Sequence, residues 1–183
     1  MGNIAVIDTE TTWTNQVMSI GTVIADAETF RPLAARYHLF PQECQIGGMY
    51  DKALYLPTPV DPIFLPREAA MADIRRWLQA LEVRSIFAYN AKFDRNHLSE
   101  LSGFSWHDIM ALAAYRQHNP KLPAHGDFCS TGRLRRGYGV EPMLRLLSGN
   151  CEYRETHNAL FDALDELEIL RLLGHGIDAY AAL

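Results

Sequence analysis

The chain opens on an apolar run, Ile4 to Ile7, that stops at Asp8. Its length and polar flanks predict a buried strand over residues 3–8. A second apolar run, VMSIGTVIAD at 17–26, predicts another strand with Gly21 inside it. In ARYHLF (35–40), Tyr37 and Leu39 alternate against His38, the period of two expected of a third strand. Short connections between the three predict an antiparallel meander. From Arg67 the period lengthens. Ala70, Ile74, Trp77, Leu78 and Leu81 fall at helical spacing, so a helix is predicted over 67–82 with Pro66 near its start. SIFAYN (85–90) predicts a short strand that runs into a helix at 91–101. Further helices are expected at 106–118, ending before Pro120, and at 140–148. The last covers 157–173, where Leu160, Leu164, Leu167 and Leu170 share a face and Gly174 stops the helix.

Residues 41–66 break the pattern with Gly47, Gly48, Pro41, Pro57, Pro59, Pro62 and Pro66. A loop that long is either functional or a disordered linker, and its aromatics Tyr50, Tyr55 and Phe64 argue against simple disorder. Early strands followed by strand–helix alternation predict an α/β fold, a mixed sheet with helices packed against it. With 183 residues and no evident repeat or linker, one domain spanning 1–183 is expected.

Several acids interrupt these elements. Asp8 and Glu10 lie two apart on a strand, so both point to one side. Two anions held that close raise each other's pKa unless a cation sits between them, and residues 1–30 contain no Lys or Arg. Either a basic group arrives from elsewhere in the fold or the pair holds a metal. Asp94, in AYNAKFD, follows the 85–90 strand, where catalytic groups of α/β folds commonly sit, although such an Asp is also a common helix cap. In THNALFDALDELE, Asp162 falls where an apolar stripe should form, with His157 five residues before it at the helix start. Asp165, Glu166 and Glu168 read as a solvated acidic face.

Taken together, Asp8 and Glu10 in DTETT, Asp94 in NAKFD, and His157 and Asp162 in HNALFD resemble the DEDDh (DnaQ-like) family of 3′–5′ exonucleases. That family includes polymerase proofreading subunits, RNase T and oligoribonuclease. The order and approximate separation of the five residues agree with it across nearly the whole chain. The resemblance implies a ribonuclease H-like α/β/α fold, its first three strands antiparallel and the later ones parallel. It also implies two divalent cations, Mg²⁺ or Mn²⁺, which prefer carboxylate oxygens to thiolates. By the same resemblance Asp8 bridges both ions, Glu10 and Asp162 hold one, Asp94 supports the other, and His157 is the general base. The implied products are nucleoside 5′-monophosphates released from a 3′ end. Two positions depart from the pattern: Trp13 follows ETT where the family commonly has Gly, and Tyr89 precedes Asn90 where His is common.

Composition changes this picture only at its edges. Cys44, Cys129 and Cys151 carry no zinc spacing and no disulfide framework. The net charge of −5 counts against a nucleic-acid partner until cations offset the acids. Positive charge gathers at Arg116, Lys121, Arg133, Arg135 and Arg136, a solvated loop or a phosphate contact. Candidate substrate contacts are therefore Thr11, Thr12, Trp13 and Asn90 beside the acids, with Arg133, Arg135 and Arg136. Trp13 either packs over the sheet edge or stacks on a terminal base. The expected partner is DNA or RNA with a single-stranded 3′ end, with a polymerase or a second copy of the chain as a further partner. No membrane-spanning run and no signal peptide is evident, which gives a cytoplasmic expectation. A catalytically inactive binding relative and a small-phosphate phosphohydrolase are the rival readings.

Overall fold

The computed structural model describes residues 2–183. The three early apolar runs form β1 (Asn3–Thr11), β2 (Val17–Asp26) and β3 (Pro32–Leu39), paired antiparallel as expected of a meander. A short β4 (Pro62–Phe64) pairs parallel with β3, β5 (Ser85–Ala88) parallel with β1, and β6 (Ser105–Asp108) parallel with β5. The sheet order is β4-β3-β2-β1-β5-β6, the mixed ribonuclease H-like sheet that the resemblance implies.

Both faces of this sheet are covered, and the alternation along β1 shows how. Ile4 and Val6 enter one core; Ala5 and Ile7 enter the other. On the second face lies α2 (Arg67–Ala80), which buries Ala70, Met71, Ile74 and Leu78. On the first lie α5 (Val140–Ser148) and α6 (Ala159–Leu173), with Leu160, Ala163, Leu167 and Leu170 inward. Each fully buried aliphatic side chain contributes about 1.5–3 kcal/mol relative to exposure, which fixes the central strand firmly between two layers. His38 alternates with Tyr37 and Leu39 as the sequence suggests, yet it does not face water. It is buried on the α2 side, with Nε2 3.1 Å from Asp73 Oδ2.

The structure differs from the sequence reading in three stretches. Residues 41–66 are not a plain loop: they contain α1 (Pro41–Ile46), a 3₁₀ turn at Asp51–Tyr55, and β4. The helix expected over 91–101 is α3 (Lys92–His97) followed by a 3₁₀ turn. The helix expected over 106–118 begins instead as β6, and only α4 (Met110–Ala113) is helical. The pairing of Ile86 with Trp106 explains the switch, because a ladder partner outweighs weak local propensity.

Gly21 sets the distance between sheet and helix. It pairs with Asp8 in the β1–β2 register, and a Cβ added there would lie 2.0 Å from the Ala159 carbonyl oxygen at the start of α6. Backbone cannot give way as a side-chain tip can. Gly21→Ala is therefore expected to lower stability by about 3 kcal/mol and to push the first turn of α6 off the sheet. Chemical denaturation measures the first effect, and hydrogen exchange of the α6 amides the second.

Candidate active site

The carboxyl-terminal ends of β1 and β5, the loop after β5 and the start of α6 meet at one place. Asp8 and Glu10 share the side of β1 that faces α6, continuing the row of Ile4 and Val6. Both are half-buried. Asp94 arrives on the first turn of α3, 2% exposed, and Thr9 donates its hydroxyl to Asp94 Oδ1 at 2.7 Å. No side chain caps α3, and the Asn90 backbone amide donates to Asp108 Oδ1 at 3.0 Å. Asp94 is thus not a helix cap.

Asp162 sits on α6 at 3% exposure with Oδ1 unpartnered. The helix is capped by Asn158, whose side chain accepts from the amides of Leu160 and Phe161. The Asn158 amide group also donates to Tyr37 Oη at 3.1 Å and to the Ala53 carbonyl at 2.8 Å. That anchor leaves His157 outside the helix, in the left-handed region at φ 56°. Glu10, His157 and Asp162 each present one ligand atom, all within 4.8 Å of one another.

The electrostatics of this cluster are those of anions without counter-ions. Burial pushes Asp8 well above the usual carboxylate range, and Glu166, Asp94, Asp162 and Glu10 push it further. Glu10 is raised to about 8 by burial and Glu155, and Asp162 to about 9 by burial, Glu155 and Glu10. Asp94 is raised to about 7 by burial, against the Thr9 hydroxyl. Among the described residues, none of these acids pairs with Lys or Arg. The basic group that could have explained Asp8 and Glu10 structurally is not found among the described residues. His157 moves the other way, its pKa lowered mainly by partial burial, which favours a neutral ring.

Three residues at the site escape the sequence reading. Glu166, which reads there as part of a solvated face, is 1% exposed and lies beside the acids. The signal was available, since Glu166 follows Asp162 by four positions and so shares its helix face. Glu155 is the charged neighbour that most raises Glu10 and Asp162. Tyr50 stacks on the His157 ring, with centroids 3.8 Å apart and planes 12° apart. Gly48 permits that approach: a Cβ there would lie 2.5 Å from the Thr11 carbonyl oxygen.

The expected substrate contacts fall in two groups. Thr11, Thr12 and Trp13 continue from β1 at the acid cluster, and Trp13 is 67% exposed rather than packed over the sheet edge. Asn90 follows β5, exposed, with φ 62°. Arg133, Arg135 and Arg136 lie on the loop before α5. Arg133 stacks on Tyr138 at 4.8 Å, and the Tyr138 carbonyl accepts from Tyr89 Oη at 2.5 Å, which ties that loop to the end of β5. Arg135 pairs with Asp127 at 3.2 Å.

No family model matches the chain, and no curated protein matches it by sequence. Solved structures do match it, exonucleases among them. The nuclease domain of 3′hExo, a DEDDh family member bound to rAMP, superposes with a TM-score of 0.65 at 15% identity, covering 99% of this chain and 96% of that one. A 3′-exonuclease described in 3′-end recognition of a histone mRNA stem-loop gives a TM-score of 0.65 at 16% identity, covering 92% and 80%. E. coli Exonuclease I with a 5cy-dA13 oligonucleotide gives 0.62 at 13% identity, covering 94% of this chain. The chain spans about 40% of the length of the Exonuclease I it matches. At these identities the likeness is one of fold. None of the described helices is long and apolar enough to cross a membrane.

Proposed function

We propose that the chain is a metal-dependent 3′–5′ exonuclease that removes nucleoside 5′-monophosphates from single-stranded or frayed 3′ ends of DNA or RNA. One observation carries the reading: Glu10 and Asp162 present ligand atoms beside His157, Asp8 and Asp94 lie near enough for the acids to raise one another's pKa, and among the described residues no Lys or Arg pairs with any of the four. The site fits hard divalent cations, Mg²⁺ or Mn²⁺, because its donors are carboxylate oxygens, one of them buried and unpartnered, and no cysteine takes part. Bound there by Asp8, Glu10, Asp94 and Asp162, such ions supply the Lewis acidity that phosphodiester hydrolysis needs.

The chain's own residues do the rest. A neutral His157 ring accepts the proton of the attacking water, and the Tyr50 ring stacked on it holds its plane. Trp13 offers an exposed face on which a terminal base can stack, a contact that tolerates any base. Thr11, Thr12 and Asn90 flank the acids at the strand ends. Arg133, whose loop is tied to the end of β5 through Tyr138 and Tyr89, and its loop neighbours Arg135 and Arg136 are assigned to phosphates upstream of the scissile bond, a role that Arg133's contacts support.

The test uses 5′-labelled single-stranded DNA and RNA oligonucleotides with Mg²⁺, Mn²⁺ or EDTA. A ladder shortening from the 3′ end is expected with metal only, and none with Asp8→Ala. Folded, metal-loaded protein that leaves both strands intact overturns the reading. Hydrolysis of a small phosphomonoester in the same tubes would then make it a phosphohydrolase.

A further inference from the structure

Glu166 is an acid where packing alone favours an apolar side chain, and the hydrogen bond it takes from the Tyr89 backbone does not offset the cost of its burial. It lies on the buried face of α6, 1% exposed, between Ala163 and Leu167 in the core. Its Oε2 has no hydrogen-bond partner. No Arg or Lys pairs with it among the described residues. A leucine would fill a buried helix position without the desolvation that a carboxylate carries. What surrounds Glu166 is the acid cluster. It is the charged neighbour that acts most strongly on Asp8, and Asp94 is the one that acts most strongly on it, followed by Asp162. Asp162 Oδ1, one turn earlier on the same face, is the other buried carboxylate oxygen left unpartnered among the described residues. Two consecutive turns of α6 thus each bury one carboxylate oxygen that has no hydrogen-bond partner.

We propose that Glu166 is a fifth carboxylate of the metal site, one that would help Asp8 and Asp94 hold a divalent cation. The inference rests on the proposed metal-dependent reading and adds to it a residue deeper than Glu10 and His157, on the side away from solvent. A fifth negative charge there strengthens attraction for a divalent ion in a setting where little water screens it. It also favours ions that accept many oxygen donors over those that demand thiolate or imidazole.

The experiment measures Mn²⁺ binding directly, by calorimetry and by the Mn²⁺ electron paramagnetic resonance signal, on wild type, Glu166→Gln, Glu166→Leu and Asp94→Asn. Circular dichroism of the metal-free variants checks the fold, and Glu166→Leu guards against a Gln that packs badly. Loss of about tenfold or more in Mn²⁺ affinity is expected for both Glu166 variants, at the scale seen when groups supporting a metal are removed. If wild type binds Mn²⁺, Asp94→Asn weakens it and both Glu166 variants bind like wild type, the role of Glu166 is overturned while the metal reading stands. If wild type binds no Mn²⁺, both fall together.

Discussion

Without metal, the melting temperature is expected to fall by on the order of 10 °C between pH 5 and pH 9, the reverse of ordinary acid denaturation. The cause is the acid cluster. In the folded chain Asp94 is held up at about 7, Glu10 at about 8 and Asp162 at about 9, mainly by burial. In the unfolded chain these groups titrate near 4. Between those limits the folded state holds more protons than the unfolded one, so stability drops as pH rises. The stabilisation is fully present below about pH 4 and is lost as the pH passes each folded value in turn. A shift of this size in even one group is worth several kcal/mol, since each pKa unit is about 1.4 kcal/mol. Divalent cations bind the deprotonated carboxylates, so their stabilising effect grows over the same window. Melting curves at pH 5, 7 and 9, in EDTA and in excess Mg²⁺ or Mn²⁺, check this. The EDTA series should slope downward and the metal series should not. Asp162→Asn should flatten the EDTA slope. A metal-free melting temperature that rises from pH 5 to pH 8 would show that the acids ionise normally, and the electrostatic argument for a metal site would fail.

The order of acids along the chain was legible because each lies where a strand or helix end must place it. Ile4, Val6 and Ile7 dictate β1, and its period of two then aims Asp8 and Glu10 together. The antiparallel meander was legible for the same reason, with long apolar runs and short turns. What the sequence hid depends on partners distant in the chain. β6 is four residues long, too short to show a period, and exists because β5 pairs with it. β4 lies inside a proline-rich stretch and is recruited by the edge of β3. Glu166 was masked by its neighbours: Asp165 and Glu168 are partly exposed, and a run of acids reads as a solvated face. Tyr50 could not be linked to His157 at all, because 107 positions separate them and the loop reaches the site through tertiary contacts, the close approach at Gly48 and the hydrogen bond from Asn158 to the Ala53 carbonyl.

His157→Ala is expected to slow mononucleotide release by roughly 10²–10⁴-fold, the usual contribution of a general base, or about 3–5 kcal/mol in the barrier. The structure offers His157 two roles, because it lies within 4.8 Å of Glu10 and Asp162 as a base would and also as a metal ligand would. The two separate cleanly. As a base, His157→Ala lowers the rate at saturating metal and leaves Mn²⁺ affinity within a few-fold of wild type. As a ligand, it weakens Mn²⁺ binding, and excess metal restores the rate. Tyr50 sharpens the distinction, since its ring stacks on His157 and the residue is far from β1 in sequence. Tyr50→Phe keeps the stacked face and should keep the rate, whereas Tyr50→Leu should lose part of what His157→Ala loses. In the double variant Tyr50→Leu, His157→Ala, the two losses should not add, because both act through the same imidazole. Fully additive losses would mean that Tyr50 serves the substrate rather than the base, and recovery of the His157→Ala rate by excess Mn²⁺ would move His157 from proton acceptor to ligand.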